Sequence, residues 1–301
     1  MANALVPAAE AEILKANSRL TFRQGTFSYS IERRGNQSWY AVSDGKNTIS
    51  EPIDWAFGLG AAGQTYLFRH NMAWYESRVS YYREIARLDL TVGARPDVPG
   101  SIEEAVGRWL SVQGTDECFQ CHATNALVDG TLHADTLTPG VKCQRCHTDV
   151  RVAGSQQVHD PKALPRRLSQ LTTEELSDFC GQCHRTWAQI AADGPHNINN
   201  VRFQPYRLTN SKCYDAIDRR IRCTACHDPH SDVVHRLNFY DARCLACHSP
   251  QTGEEKVPKI CKVASQNCVS CHMPKIRISG AHNAFTDHWI RVVKRGDPYP
   301  S

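Results

Sequence analysis

From Phe27 the chain alternates apolar and polar positions: Phe27, Tyr29 and Ile31 interleave with Ser28, Ser30 and Glu32. A period of two places alternate side chains on opposite faces, so a half-buried strand is predicted there. Gly35-Asn36 marks a turn before Trp39, Tyr40 and Val42, and Asp44-Gly45 marks a second turn. The run Ile53 to Phe57 leads into Gly58-Leu59-Gly60-Ala61-Ala62-Gly63, and Gln64 to Arg69 is strand-like again. That glycine cluster lacks the spacing and following helix of a dinucleotide fingerprint, and reads as tight turns or close packing. Trp74-Tyr75 and Val79 to Tyr82 complete a small predicted sheet. Before it, Pro7 to Arg19 reads as a short amphipathic helix with Leu14 on its apolar side.

Ala94 to Gly100, with Pro96 and Pro99, reads as a linker. Ser101-Ile102-Glu103-Glu104 is a capping box, in which the serine side chain accepts an early amide and Glu104 reaches back. It predicts a helix over Ile102 to Val112 with Ala105, Val106, Trp109 and Leu110 on one stripe. Thr172-Thr173-Glu174-Glu175 starts another predicted helix that carries Leu176 and Phe179 and continues as far as Ala191. Most of the remaining chain is loop, rich in Pro, Gly and Asn.

The 301 residues hold 14 cysteines, all between Cys118 and Cys271. Twelve form six C-x-x-C-H motifs: Cys118–His122, Cys143–His147, Cys180–His184, Cys223–His227, Cys244–His248 and Cys268–His272. This is the attachment signature of a c-type haem. Cys118 and Cys121, Cys143 and Cys146, Cys180 and Cys183, Cys223 and Cys226, Cys244 and Cys247, and Cys268 and Cys271 each bond one macrocycle. His122, His147, His184, His227, His248 and His272 reach the irons. Zinc ribbons also use paired C-x-x-C units but need no histidine directly after each pair. Six covalent haems and six irons are therefore expected. Cys213 and Cys261 are left over and form either a disulfide or two separate buried thiols.

Haem c is attached outside the cytoplasm, in a compartment that also permits disulfides. An exported protein, periplasmic or extracellular, is expected. Met1 to Pro7 has no basic n-region or apolar h-region, so numbering after a removed signal or an altered start is expected. No run is long enough to span a membrane as a helix. The formal charge of +4 changes sign once haem is counted. Two propionates on each of six haems add roughly −12, leaving about −8 before iron charge. Arg166-Arg167 and Arg219-Arg220 therefore read as propionate partners or solvated surface, and nucleic-acid binding is excluded.

Eight histidines lie outside the motifs. The other common distal ligand is methionine, and only Met1, Met72 and Met273 exist. Met273 follows His272 directly and cannot cap the same iron. Bis-histidine, low-potential haems are therefore expected. His230 leads the distal candidates: in Cys223-Thr224-Ala225-Cys226-His227-Asp228-Pro229-His230 it comes too soon after His227 for the same iron and suits a neighbouring haem. His282 and His288 follow, then His159 and His235. His196 ranks ahead of His133 and His70 for the last position. Asp287 is a candidate to orient His288 through its second ring nitrogen.

The region from about residue 115 to 293 resembles the multihaem cytochromes grouped with the tetrahaem cytochrome of nitrifying bacteria, hydroxylamine oxidoreductase and pentahaem nitrite reductase. The resemblance rests on Pro139-Gly140-Val141-Lys142-Cys143-Gln144-Arg145-Cys146-His147, on Cys223 to His230, and on Cys268-Val269-Ser270-Cys271-His272-Met273-Pro274-Lys275 with the trailing His282 and Asp287-His288. It implies an exported protein whose stacked haems pass electrons. The C-x-x-C-K motif of pentahaem nitrite reductases is absent, since every motif here keeps histidine. The chain is also similar in haem content to extracellular filament-forming cytochromes, in which a subunit can lend a histidine to its neighbour's haem.

The fold class expected is mixed. Residues 1–95 form a small β-rich, haem-free domain. Residues 96–301 form a loop-and-helix hexahaem domain with little regular secondary structure and stacked haems as core, since Cys118 to His288 supplies roughly 30 residues per haem. The expected function is electron transfer through a chain of stacked haems, with other redox proteins or copies of itself as partners. A conductive filament subunit is one alternative. A multihaem oxidoreductase acting on nitrite, hydroxylamine or a similar substrate at an open iron is another. Deleting residues 1–95 is expected to keep all six haems but weaken assembly.

Overall fold

The structure is a computed structural model, and it describes residues 3–147, 168–248, 261, 263–294 and 296–300. The chain divides into two compact units, Met1–Arg166 with Ser279–Asn283, and Arg167–Ile278 with Ala284–Ser301.

The first unit is built on an antiparallel meander. Strands β1 (Leu5–Pro7), β2 (Arg19–Gln24), β3 (Phe27–Arg34), β4 (Gln37–Ser43), β5 (Thr48–Phe57), β6 (Thr65–His70) and β7 (Ala73–Ser77) precede the hairpin β8 (Val79–Tyr82) and β9 (Arg87–Leu90). β2 to β7 pair in sequence order, and β1 pairs with the far end of β5. The predicted alternation holds: Phe27, Tyr29 and Ile31 are buried on β3, and Tyr40 and Val42 lie beside them on β4. Gly35-Asn36 makes the two-residue turn between Arg34 and Gln37. Asp44 turns the chain into β5 by accepting the amides of Lys46 and Asn47 at 2.8 and 2.6 Å. In the glycine cluster Gly58 has φ 85°, and a Cβ there would meet the Gly63 carbonyl oxygen at 2.5 Å. The cluster is a tight turn, as its sequence indicates.

Two helices are shorter than their patterns predict. Of Pro7 to Arg19 only α1 (Glu12–Ala16) is α-helical; Pro7 ends the strand on β5 and Arg19 opens β2. Strand pairing to the sheet prevails over the amphipathic pattern at both ends. The second, α2 (Ile102–Val106), is capped by Ser101, whose Oγ accepts the Glu104 amide at 3.2 Å. Glu104 reaches back to the Gly100 amide, one residue beyond a standard capping box, at 2.8 Å. The helix stops at Gly107, which turns to φ 146° and begins β10 (Gly107–Trp109) against β7. Trp109 is therefore exposed rather than on a helical stripe. A Cβ on residue 107 would lie 2.1 Å from the Glu76 carbonyl oxygen. Gly107→Ala is expected to cost at least about 1–3 kcal/mol, read as a lowered thermal midpoint. Ala94 to Gly100 is tied to the sheet by Arg78, which donates to the carbonyls of Arg95 and Asp97 at 2.8 and 2.7 Å.

Beyond the sheet the first unit carries α3 (Val112–His122), the short pairs β11 (Ala123–Thr124) with β14 (Thr138–Pro139) and β12 (Leu127–Val128) with β13 (Thr131–Leu132), and α4 (Cys143–Cys146). The second unit carries α5 (Thr173–His184), α6 (Trp187–Asp193), α7 (Gln204–Thr209), α8 (Cys223–Cys226), α9 (Asp241–His248), α10 (Cys268–His272), and the hairpin β15 (Lys275–Arg277) with β16 (Ala284–Thr286). The helix predicted to run to Ala191 is broken at Arg185, which adopts φ 62°. Thr186 then caps α6 by a full capping box with Gln189.

Both apolar clusters of buried side chains belong to the first unit. Among the described residues of the second, the buried apolar side chains are Leu176, Ile190, Val201, Pro205 and Ile278. Its largest buried side chain is charged: Arg207 is 0% exposed.

Candidate cofactor and electron-transfer site

All six C-x-x-C-H motifs lie on helical turns: at the ends of α3, α5 and α9, and as the whole of α4, α8 and α10. Residues three apart on a helix face the same way, so each pair of sulfurs is presented on one side with the histidine at the turn's end. In α4 and α8 the turn is closed by the histidine amide itself, from His147 to the Cys143 carbonyl at 2.8 Å and from His227 to Cys223 at 2.9 Å. Among the described residues no three or more His, Cys, Asp or Glu side chains gather as a metal cluster, which a zinc ribbon needs. The donor set fits haem c, which needs only the two thiols and the histidine of each motif.

Ring orientation supports the fit. A carbonyl oxygen only accepts, so a ring nitrogen bonded to it carries the proton and the other nitrogen holds the lone pair. The Nδ1 of His122 donates to the Ala4 carbonyl at 3.1 Å, that of His272 to Arg291 at 3.0 Å, and that of His288 to Thr286 at 3.0 Å. Each therefore carries its ring lone pair on Nε2, the arrangement that metal-bound histidines use.

The first motif rests on the sheet. Phe119 is fully buried and meets Trp55, Phe57 and Trp74 edge-on, while Phe57 lies 5.2 Å from the His122 ring. Residues 1–95 thus supply both the floor under Phe119 and the carbonyl that orients His122. Deleting them removes both of these supports of the first motif. The second motif follows in the same unit at the end of the β-turn region, with Cys143 exposed.

In the second unit, successive motifs meet. The Cys223 thiol hydrogen-bonds that of Cys180, which lowers its pKa. The Cys244 thiol likewise meets Cys268, whose own pKa is pushed up to about 12, first by burial and then by Asp241. Asp241, buried at the start of α9, accepts the amides of Asn267 and Cys268 at 2.8 and 2.9 Å and joins the fifth motif to the sixth. Cys213 is half-buried near Cys226, Cys244 and Cys247, whereas Cys261 is exposed; both are free thiols, so the disulfide considered between them is not formed.

The distal candidates diverge. His288 is half-buried, with its ring centroid 6.2 Å from that of His227. Its pKa falls to about 4, chiefly by burial and with repulsion from His227 and His184, so it is neutral as a ligand must be. Asp287 does not orient that ring. It is 0% exposed and engaged bidentately by Arg207 at 2.8 and 2.9 Å and by Arg291 at 2.6 Å, so His288 uses the Thr286 carbonyl instead. Burial alone would raise the Asp287 pKa; its hydrogen bonds and Arg207 outweigh that and hold it below the usual carboxylate value.

His282 belongs to the first unit, with Nε2 on Asp89 at 2.8 Å and its ring 4.7 Å from Tyr82. His230 is exposed, with Nδ1 3.2 Å from Asp228. His196, His235 and His133 are exposed, and His159 lies outside the described residues. His70 has both ring nitrogens engaged, Nδ1 by Glu51 at 2.8 Å and Nε2 by Glu103 at 3.3 Å, which sets it apart as a structural residue of the sheet.

Burial would lower the His70 pKa, but the two carboxylates outweigh it and raise it. Its contribution to stability is therefore full below the unfolded value of about 6.5 and is lost as pH rises through the higher folded value. The thermal midpoint deficit of His70→Asn is expected to be largest near pH 5–6 and to shrink towards about pH 9, as melts across that range would show.

Of the two basic pairs expected to be propionate partners or surface, Arg166-Arg167 lies outside the described residues; Arg219 donates to the Ser169 and Gln170 carbonyls and Arg220 pairs with Asp218 at 2.8 Å, both at the surface. Arg207, Asp241 and the carbonyls of Ala4, Thr286 and Arg291 were not singled out from the sequence. The carbonyls carry no residue-type signal, and a buried arginine looks like any other arginine in a sequence.

Among the described residues no helix is long and apolar enough to cross a membrane. Residues 132–249 match the family model for cytochrome c3, a span holding the second to fifth motifs. Residues 101–148 match that for cytochrome c554 and c-prime, which covers the first two. No curated protein and no solved structure matches the chain. The two family matches support a multihaem c-type cytochrome, with covalently bound haem c and its iron, in a class that mainly transfers electrons.

Proposed function

We propose that the chain is a hexahaem electron-transfer cytochrome with mainly bis-histidine, low-potential haems stacked in a chain. The observation that carries this is the repeated helical turn, which in all six motifs presents two thiols and a following histidine. Bound haem c supplies a reversible one-electron iron couple. The twelve motif cysteines hold the groups and the six motif histidines provide one axial ligand each. Distal ligands come from His288, His282, His230, His159, His235 and His196; His282 must exchange Asp89 for an iron to serve. Met72, 94% exposed in the first unit, does not compete. The contacts of Cys180 with Cys223, and of Cys244 with Cys268, support close spacing of successive haems. The sparse apolar interior of the second unit supports haems as its core. Residues 1–95 are the haem-free part and residues 96–301 the haem-bearing part of an exported protein whose partners are redox proteins or its own copies.

Chemical haem counting with low-temperature electron paramagnetic resonance of the oxidised holoprotein tests this. Six haems with low-spin signals alone are expected. A substantial high-spin signal would replace the electron-transfer reading with catalysis at an open iron, to be tried with nitrite, hydroxylamine and peroxide. The exposure of His133, His196 and His235 favours a second reading, a filament subunit that lends a histidine to its neighbour. Electron microscopy at modest concentration decides that: a uniformly monomeric species would sink it.

A further inference from the structure

We infer that His227 and His288 are the two axial ligands of one iron, the one held through Cys223 and Cys226. This rests on the reading that those cysteines carry a haem, and it adds which of the remaining histidines completes that haem.

The separation of the rings is the first argument. An imidazole nitrogen lies about 2.0–2.1 Å from a first-row metal ion and the ring centroid about 1.1 Å beyond, so two imidazoles facing each other across one ion have centroids about 6.3 Å apart. The observed separation is 6.2 Å. The ring planes are inclined by 40°. That is neither the stacked nor the edge-on arrangement that two rings adopt for their own attraction. Ligands on opposite sides of an ion are free to take any angle about the axis joining them.

The second argument is preparation. His288 donates Nδ1–H to Thr286, so Nε2 is its ligating atom. Its backbone is held on both sides. Before it, Asp287 is locked by Arg207 and Arg291; after it, the Ile290 amide donates to Ser211 Oγ at 2.8 Å. A distal ligand held this way loses little freedom on binding. On the other side, His227 is fixed at the end of α8, where its backbone amide donates a hydrogen bond to the Cys223 carbonyl at 2.9 Å. The nearest rival in sequence, His230, points its Nδ1 at Asp228 and is 74% exposed at the side chain.

The test uses the holoprotein. His288→Ala is expected to keep the full haem count and convert one low-spin iron to high-spin, with added imidazole restoring the low-spin signal. His288→Met is expected to raise the potential of one centre and give it a methionine-to-iron charge-transfer band. In a Cys223→Ser/Cys226→Ser background, which lacks that haem, His288→Ala should convert no remaining iron. A high-spin iron still appearing there, or an unchanged spectrum in the single variant, overturns the pairing. If the cysteine variant loses no haem, the attachment reading itself fails, a result distinct from failure of the pairing. Should that variant not fold, His227→Met takes its place. Combined with His288→Ala it should alter the same single iron, and two altered irons overturn the pairing.

Discussion

Made in cells that cannot attach haem, the chain will keep its sheet and lose the ordered packing of the Arg167–Ile278 unit. The two units differ in what fills them. Within the first, Tyr29, Ile31, Tyr40, Val42, Tyr66 and Phe68 are each at most 2% exposed, and Phe119 anchors a second cluster. Burial of such side chains is worth about 1.5–3 kcal/mol each, the dominant favourable contribution to folding. The second unit has five buried apolar side chains among its described residues, together with buried Arg207, Asp241 and Asp287. So few cannot offset the conformational entropy of ordering its backbone, about 1–2 kcal/mol per residue. The proposed haems would supply the missing burial. Amide hydrogen exchange should show protection in β2 to β7 and little in residues 168–248 of the haem-free chain. Protection throughout would mean that the protein packs without its haems, and that they do not form its core.

Replacing Asp287 with alanine in the holoprotein should destabilise the second unit by about 3–5 kcal/mol, because it leaves Arg207 charged and buried without its partner. The pair is bidentate, and the arginine also donates to the Pro300 carbonyl at 2.9 Å and lies between the rings of Trp289 and Tyr299 at 5.0 and 4.6 Å. It cannot turn to solvent without dismantling that wall. The value is the cost of stranding a charge, not the worth of the bridge. Accordingly Arg207→Met with Asp287→Leu should recover most of the loss, since matched apolar groups often replace a buried ion pair without penalty. Arg291, 18% exposed at the side chain, has a route to water once its carboxylate is gone. Thermal unfolding of the three variants reads this directly. A deficit below about 1 kcal/mol for Asp287→Ala would reduce the pair to the level of a surface bridge.

The legible parts of the molecule share a reason. An attachment motif is local in sequence: two thiols and a histidine within five residues need one helical turn and nothing more, so all six could be read and all six are helical turns. Strand alternation in Phe27 to Val42 is equally local, as are the turns at Gly35-Asn36 and Asp44. The errors lie where a distant segment decides. Pro7 to Arg19 and Ile102 to Val112 both have helical patterns, yet β5 claims Pro7 and β7 claims Gly107 to Trp109. Asp287 looked like a partner for the histidine beside it in sequence; the structure gives it to Arg207, eighty positions away.

By itself the sequence determined that six C-x-x-C-H motifs recur, that the histidines outside them outnumber the three methionines, and that a β-rich segment precedes the cysteines. Each of these depends on residue type or on short spacing. Only the tertiary structure decided that the first motif rests on the sheet, that Cys213 and Cys261 are free thiols, that His70 serves two carboxylates, and that the His288 ring lies 6.2 Å from that of His227. A distal ligand is defined by what it reaches across space, and its position along the chain carries almost no information about that.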